Sequence, residues 1–234
     1  MALRCGGRVL ELGCGTGRIS IPLGRAGVPL VGIDRSEPML ARARQRVKRG
    51  KLQKKVQLIR GDIRHLPFAG GPEGRPLRTH GPFAMVLAPY GMLQSLLREK
   101  DLAATLTAVH GALEPGGLLG IELVADLPAW QEYRQRVSLK GWRRGRSGSH
   151  VTLVESVRQD RKKGLTIFDQ EFTERIGGRR RVHKFALTFR TLSVPQMTRR
   201  LEKAGFRIDA LLGDYRGGPW DPRAEVWVIL ARRT

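Results

Sequence analysis

Two cysteines, Cys5 and Cys14, are all that 234 residues contain. They are too few for a disulfide framework or a cysteine-based metal cluster, and such thiol usage suits a reducing cytoplasm. Long apolar runs are missing too. The longest, residues 116–125, is interrupted by Glu122 and is too short to span a bilayer, so no membrane partner is expected. The first residues show no charged region followed by an apolar core, so no signal peptide is expected. Acids are scarce: 21 Asp and Glu stand against 43 Lys and Arg, a formal charge of +22. A field of that sign favours polyanions such as RNA, DNA or anionic lipid. The competing reading is composition bias, because 33 of the bases are Arg and they are spread over several segments. Ten lie in residues 35–60 against Glu37 alone, and fourteen lie in residues 140–190 against five acids. At 41% hydrophobic residues the chain has enough apolar mass for one large α/β domain with a real core.

Strand-like and helix-like runs alternate over the first half. Residues 9–12, 29–33, 56–59, 82–88 and 116–124 read as strands. Residues 18–25, 36–47 and 92–113 read as helices, the second opened by Ser36 with Pro38 in its first turn. This alternation predicts a doubly wound, mostly parallel sheet, of seven strands once the two that close the chain are added. After about Lys140 the period changes to two. Residues 150–160, 164–175 and 181–190 read as three antiparallel strands turning at Lys163-Gly164 and Gly177-Gly178. A helix follows at 194–204 with Gly205 as its stop, then strands at 206–212 and 224–231. The expected organisation is therefore a single domain over 1–234. Residues 1–128 form its first half, 140–190 an antiparallel β insert after strand five, and 191–234 a helix and β-hairpin that complete the sheet. Residues 69–81, rich in Gly and Pro, read as an exposed loop.

The stretch VLELGCGTGRIS runs a strand into a glycine turn and then a helix. Gly13, Gly15 and Gly17 do not follow the dinucleotide fingerprint, whose sixth position would be glycine and here is Arg18. A nicotinamide or flavin oxidoreductase is disfavoured on that ground. Three carboxylates stand at successive strand ends: Glu11, Asp34 and Asp62. Ligands of doubly wound sheets bind at those ends. Asp34 has the place and chemistry to accept two ribose hydroxyls, and Asp62 with Ile63 to hold an adenine edge and face. Glu11 needs a partner, since an unpaired buried charge is costly. A ligand carrying an ammonium and a sulfonium suits such a set.

These residues resemble the class I S-adenosylmethionine-dependent methyltransferases. VLELGCGTGR looks like their first motif, VGIDRSEPML their second and GDIRHLPF their third. FAMVLAPYGMLQSLL is similar to the fourth, and LEPGGLLGIEL to the strand after it. The resemblance covers residues 7–125 closely and 192–231 loosely. It implies S-adenosyl-L-methionine as cofactor. It implies that Gly13, Gly15 and Gly17 contact the methionine portion, with Glu11 and Cys14 also in the cofactor site, that Asp34 holds the ribose, that Arg35 and Met39 lie beside the adenine with Asp62 and Ile63 at its edge, and that Ala88 lies near the donor methyl. No metal is implied. Two departures stand out. Ala84 occupies a position where the family often has Asp. Only eight residues precede Val9, where the family carries a helical segment over the cofactor; truncation, a start at an internal methionine, or an open site are the readings.

For the acceptor the signals are thinner. Neither cysteine lies near the fourth strand, which argues against cytosine C5 chemistry. Leu87-Ala88-Pro89-Tyr90 lacks the polar first residue of the base-amine motif. TLSVPQMTRRLEKAGFRIDALLGDYRG resembles the tail of small-molecule N- or O-methyltransferases, including sugar-amine ones with an antiparallel insert. Tyr90, Glu122, His183 and Tyr215 are the catalytic candidates, and Tyr133 and Phe185 could line the same pocket. Each also has a plain reading as a strand end, sheet surface or turn. His65 reads as loop. The leading expectation is methyl transfer to an N or O atom of a small molecule in the cytoplasm. The alternatives are an RNA methyltransferase that tracks phosphates with the basic insert and stacks Trp142, and a cofactor-binding module without turnover. Nothing in the sequence sets an oligomeric state.

Overall fold

The fold is that of a computed structural model, which describes residues 2–68, 82–124, 132–143, 149–224 and 226–234. The side chains of residues 142, 143 and 149 and the expected loop at 69–81 lie outside that description. The chain divides into two compact units, Met1–Ala125 with Ser193–Thr234, and Asp126–Leu192.

In the first unit β1 (Val9–Leu12) leads through the glycine turn to α1 (Ser20–Arg25). Then follow β2 (Leu30–Asp34), α2 (Glu37–Arg49), β3 (Val56–Arg60) and β4 (Phe83–Ala88). The expected single helix over 92–113 is two elements, a 3-10 turn at Met92–Ser95 and α3 (Glu99–Ala112). Leu96 and Arg98 between them are extended, so the segment changes direction there. β5 (Leu113–Val124) is parallel to β4.

The second unit holds one strand more than the alternation showed. β6 (Tyr133–Arg143) precedes β7 (Ser149–Asp160), β8 (Leu165–Ile176) and β9 (Arg179–Arg190), in sheet order β6-β7-β8-β9. β6 carries bulges and few apolar residues, which hides its period. The chain then returns to the first unit as α4 (Val194–Lys203), β10 (Phe206–Leu212) and β11 (Val226–Arg233). α4 begins with a reciprocal cap: the Gln196 N–H donates to the Ser193 hydroxyl and the Ser193 N–H to the Gln196 side chain.

The seven strands order as β10-β11-β5-β4-β1-β2-β3, with β10 and β11 antiparallel. β1, β2, β4 and β5 are buried along most of their length, as a parallel sheet covered on both faces requires. Val9, Ile21, Leu30, Val47, Val56 and Met85 form one core cluster among β1–β4, α1 and α2. Each fully buried aliphatic side chain contributes roughly 1.5–3 kcal/mol. The strand order reverses between β1, which continues to β2 on one side, and β4 on the other. At such a reversal the connections leave for opposite faces and open a crevice beyond the strand C-terminal ends.

Candidate functional site

The glycine turn after β1 stands at that reversal. The Cys14 N–H donates to the Ile33 carbonyl at 3.0 Å, which extends the β1–β2 ladder into the turn, and the Gly17 N–H closes it on the Cys14 carbonyl at 2.8 Å. Gly15 has φ +51, a conformation that favours glycine, and its N–H donates to Asp34 Oδ2 at 2.8 Å. The Ser36 N–H donates to Asp34 Oδ1 at 2.8 Å. Both carboxylate oxygens are thus oriented by backbone donors, and each keeps a lone pair for further donors. From α2, the Arg46 guanidinium donates to the Thr16 carbonyl at 2.7 Å and pins the outer side of the turn.

A cavity of about 510 Å³ opens here, within the range of small-ligand sites. Gly13, Asp34, Arg35, Asp62 and Ile63, all expected from the sequence, line it together with Gly61 and Arg64. The opposite wall comes from the segment after β4: Met92, Ser95, Leu96, Leu97, Arg98 and Asp101. Leu97 on this wall and Met39 near the turn are each 48% exposed. Met39 lies close to Gly15: a β-carbon on Gly15 would stand 3.6 Å from its sulfur.

Other expected residues sit behind this wall. Glu11 is 2% exposed, and its partner is the Ser20 hydroxyl, which donates to Glu11 Oε2 at the start of α1. Burial pushes its carboxyl up to about 7, against the opposing pull of Ser20. Cys14 is buried with its sulfur against Gly32 of β2, and burial beside Glu11 and Asp34 pushes the thiol up to about 12. Ala88 is fully buried in β4, and neither it nor Gly17 lines the cavity.

Asp62 is engaged in a way the sequence did not show. Arg64 grips it with Nη2 at 2.6 Å from Oδ2 and Nε at 3.0 Å, and reaches Asp101 of α3 at 3.2 Å. Arg98 donates to the other oxygen of Asp101 at 2.7 Å. The Arg64 hydrogen bonds hold the Asp62 carboxyl low, at about 2, so it is an acceptor at every physiological pH. Met92 was missed as well. Its thioether lies directly against Gly13, where a β-carbon would collide with it, so it closes the floor beside the turn.

Three of the four catalytic candidates meet at the C-terminal ends of β4 and β5. Tyr90 has φ +54, a strained conformation for a residue with a side chain. Its N–H donates to Glu122 Oε2 at 3.3 Å, and the next N–H, of Gly91, donates to the Glu122 carbonyl at 3.1 Å. Tyr215, from the β10–β11 connection, stands beside Glu122; partial desolvation and that carboxylate push its phenol up to about 12. The Arg18 guanidinium lies over the Tyr90 ring, 4.9 Å from its centre. His183 lies in β9 of the second unit, exposed and stacked on Phe185. Tyr133 donates from its hydroxyl to Glu155 within the same sheet. Among the described residues no cluster of His, Cys, Asp or Glu could hold a metal ion.

The acidic and apolar lining, with Asp34, Asp62, Ile63 and Leu97 in it, fits S-adenosylmethionine. Comparison with known proteins agrees. Residues 9–117 match a family model described as a methyltransferase domain. The carboxy-S-adenosyl-L-methionine synthase of Chromohalobacter salexigens is 30% identical over 134 residues, 56% of this chain and 44% of its own length. The cypemycin N-terminal methyltransferase of a Streptomyces species is 26% identical over 229 residues, 97% of this chain and 84% of its own. The CcbJ methyltransferase of Streptomyces caelestis has a similar structure, with a TM-score of 0.77 at 22% identity over 100% of this chain and 86% of its own. The match takes in under half the length of several curated relatives.

Proposed function

We propose, from the premise that this chain is a class I S-adenosylmethionine-dependent methyltransferase domain, that it transfers a methyl group to an N or O atom of a small-molecule acceptor. The observation that carries the reading is the Asp34 carboxylate, locked by Gly15 and Ser36 at the edge of the 510 Å³ cavity. In this reading Asp34 accepts the ribose hydroxyls, and Asp62 accepts from the adenine amino group while Arg64 holds it in place. Ile63, Met39 and Leu97 cover the adenine faces, and Arg35 stands at its edge. Gly13 and Gly15 let the methionine portion approach the backbone. When bound, the cofactor supplies an electrophilic methyl on a sulfonium. The chain's work is then alignment of the acceptor lone pair with that methyl.

Tyr90, Glu122 and Tyr215 form the acceptor side in this reading, at the end of the strand that carries Ala88. Two free thiols and the lack, among the described residues, of any helix long and apolar enough to cross a membrane are consistent with a cytoplasmic place. RNA is the second reading. Arg175, Arg179, Arg180 and Arg181 gather at the β8–β9 turn, where a polyanion could dock. The test offers methyl-labelled S-adenosylmethionine with pools of small amines and phenols, and separately with total RNA. Label in small molecules supports the proposal. Label confined to RNA, falling steeply with salt, transfers support to the second reading. Label in neither contradicts both.

A further inference from the structure

We infer that Glu122, flanked by Tyr90 and Tyr215, is the seat of the acceptor's ammonium group, which makes the acceptor an amine that is cationic at neutral pH. This deepens the methyltransferase reading above and rests on it. The first ground is charge. The chain has about twice as many bases as acids, yet among the described residues the half-buried Glu122 carboxylate has no salt-bridge partner. The carboxylate accepts from the Tyr90 N–H and stands beside the Tyr215 phenol, and a cationic ligand would complete the ion pair that the chain leaves open there.

The second ground is rigidity. The Tyr90 and Gly91 N–H groups fix the β4 turn to Glu122 through both its side chain and its carbonyl. Tyr90 holds its left-handed backbone there, a strain that ring placement at a site would account for. The third ground is the pair of rings. Tyr90 is 45% exposed and Tyr215 is 70% exposed, with Glu122 beside both. Aromatic faces around a carboxylate recognise ammonium by cation–π attraction and ion pairing together. The Arg18 guanidinium covers one face of the Tyr90 ring, so the ammonium is placed by Glu122 and the Tyr215 ring together. The Tyr215 phenol stays protonated and adds no charge of its own.

The seat adjoins the cavity wall along the chain. Ile121, the residue before Glu122, pairs with Ala88 at the end of β4. Met92, two residues past Tyr90, is the cavity wall against Gly13. An ammonium seated at Glu122 loses one proton before reaction, through the carboxylate to water. The amine lone pair then forms the bond to the methyl carbon as the sulfur–methyl bond breaks with its electron pair left on sulfur. The product is a methylammonium, and one proton is released overall.

The test titrates the full chain with phenethylamine and with 2-phenylethanol at pH 7.5 by calorimetry, with and without S-adenosylhomocysteine. Wild type and Glu122→Gln are compared; glutamine can keep the acceptor for the Tyr90 N–H while removing the charge. The expected result is at least tenfold tighter binding of the amine than of the alcohol in wild type. Glu122→Gln is expected to remove that preference while S-adenosylhomocysteine affinity stays within twofold. Tyr215→Leu, at an exposed position, is expected to weaken the amine at least threefold. An amine bound no tighter than the alcohol, or a preference that survives in Glu122→Gln, overturns the inference. The titration without S-adenosylhomocysteine is judged by the same criteria. Failure of S-adenosylhomocysteine itself to bind contradicts the methyltransferase reading instead.

Discussion

Glu11 should make this protein lose stability as pH rises from acid to neutral, against the usual carboxylate trend. The residue is 2% exposed, bonded to the Ser20 hydroxyl, and its carboxyl is pushed from 4.5 to about 7 chiefly by burial. The folded state therefore holds a proton through a window in which the unfolded chain has released it. Folding stability from this group is complete below pH 4.5, declines across pH 4.5–7, and is level above. At about 1.4 kcal/mol per pH unit the gap amounts to about 3 kcal/mol, to order of magnitude. In a chain of this size that corresponds to roughly 6–12 °C in melting temperature. Glu11→Gln keeps an acceptor for Ser20 and removes the titration. The assay is a set of thermal melts of both proteins from pH 4 to 8, read as a difference so that all other groups cancel. The variant should gain steadily on wild type up to about pH 7. Two curves that stay parallel across the range would refute the placement of an uncompensated carboxyl behind the glycine turn.

Other consequences are more local. Asp34→Ala removes the acceptor of the Gly15 and Ser36 N–H groups and should cost at least tenfold in S-adenosylhomocysteine affinity by calorimetry, with Asp34→Asn intermediate. Gly24→Ala sets helix propensity, about 1 kcal/mol in favour of alanine, against a β-carbon 2.3 Å from Val56. Overpacking of about 1–3 kcal/mol should win, and denaturant melts should show net destabilisation. Cys14, buried with its thiol pushed up to about 12, should resist maleimide at pH 7.5 in the native chain, while partly exposed Cys5 labels; mass spectrometry should find the second adduct only after unfolding.

The parallel frame was legible because buried strands are short apolar runs and α2 shows its buried face at Leu40, Ala43 and Val47. The glycine turn and Asp34 were legible because their spacing is local to two βα units. The break after Ser95 was not, since apolar residues continue through it and the backbone turns for packing reasons. β6 was hidden by its polar sequence and bulges. Arg64 reaches Asp101 across 37 residues, and the Tyr90–Glu122 contact joins residues 32 apart. Both depend on strand register and helix placement rather than on motif spacing. Tyr90, Glu122 and Tyr215 could be named one by one, but only the pairing of β4, β5 and β11 brings them together. His183 lies on the exposed surface of β9, in the second unit.

The most direct test of the account is calorimetric titration of the folded wild-type chain with S-adenosylhomocysteine. One site with micromolar affinity is the predicted result. A folded chain that takes up none would contradict the assignment of the cavity beside Asp34 to the methyl donor.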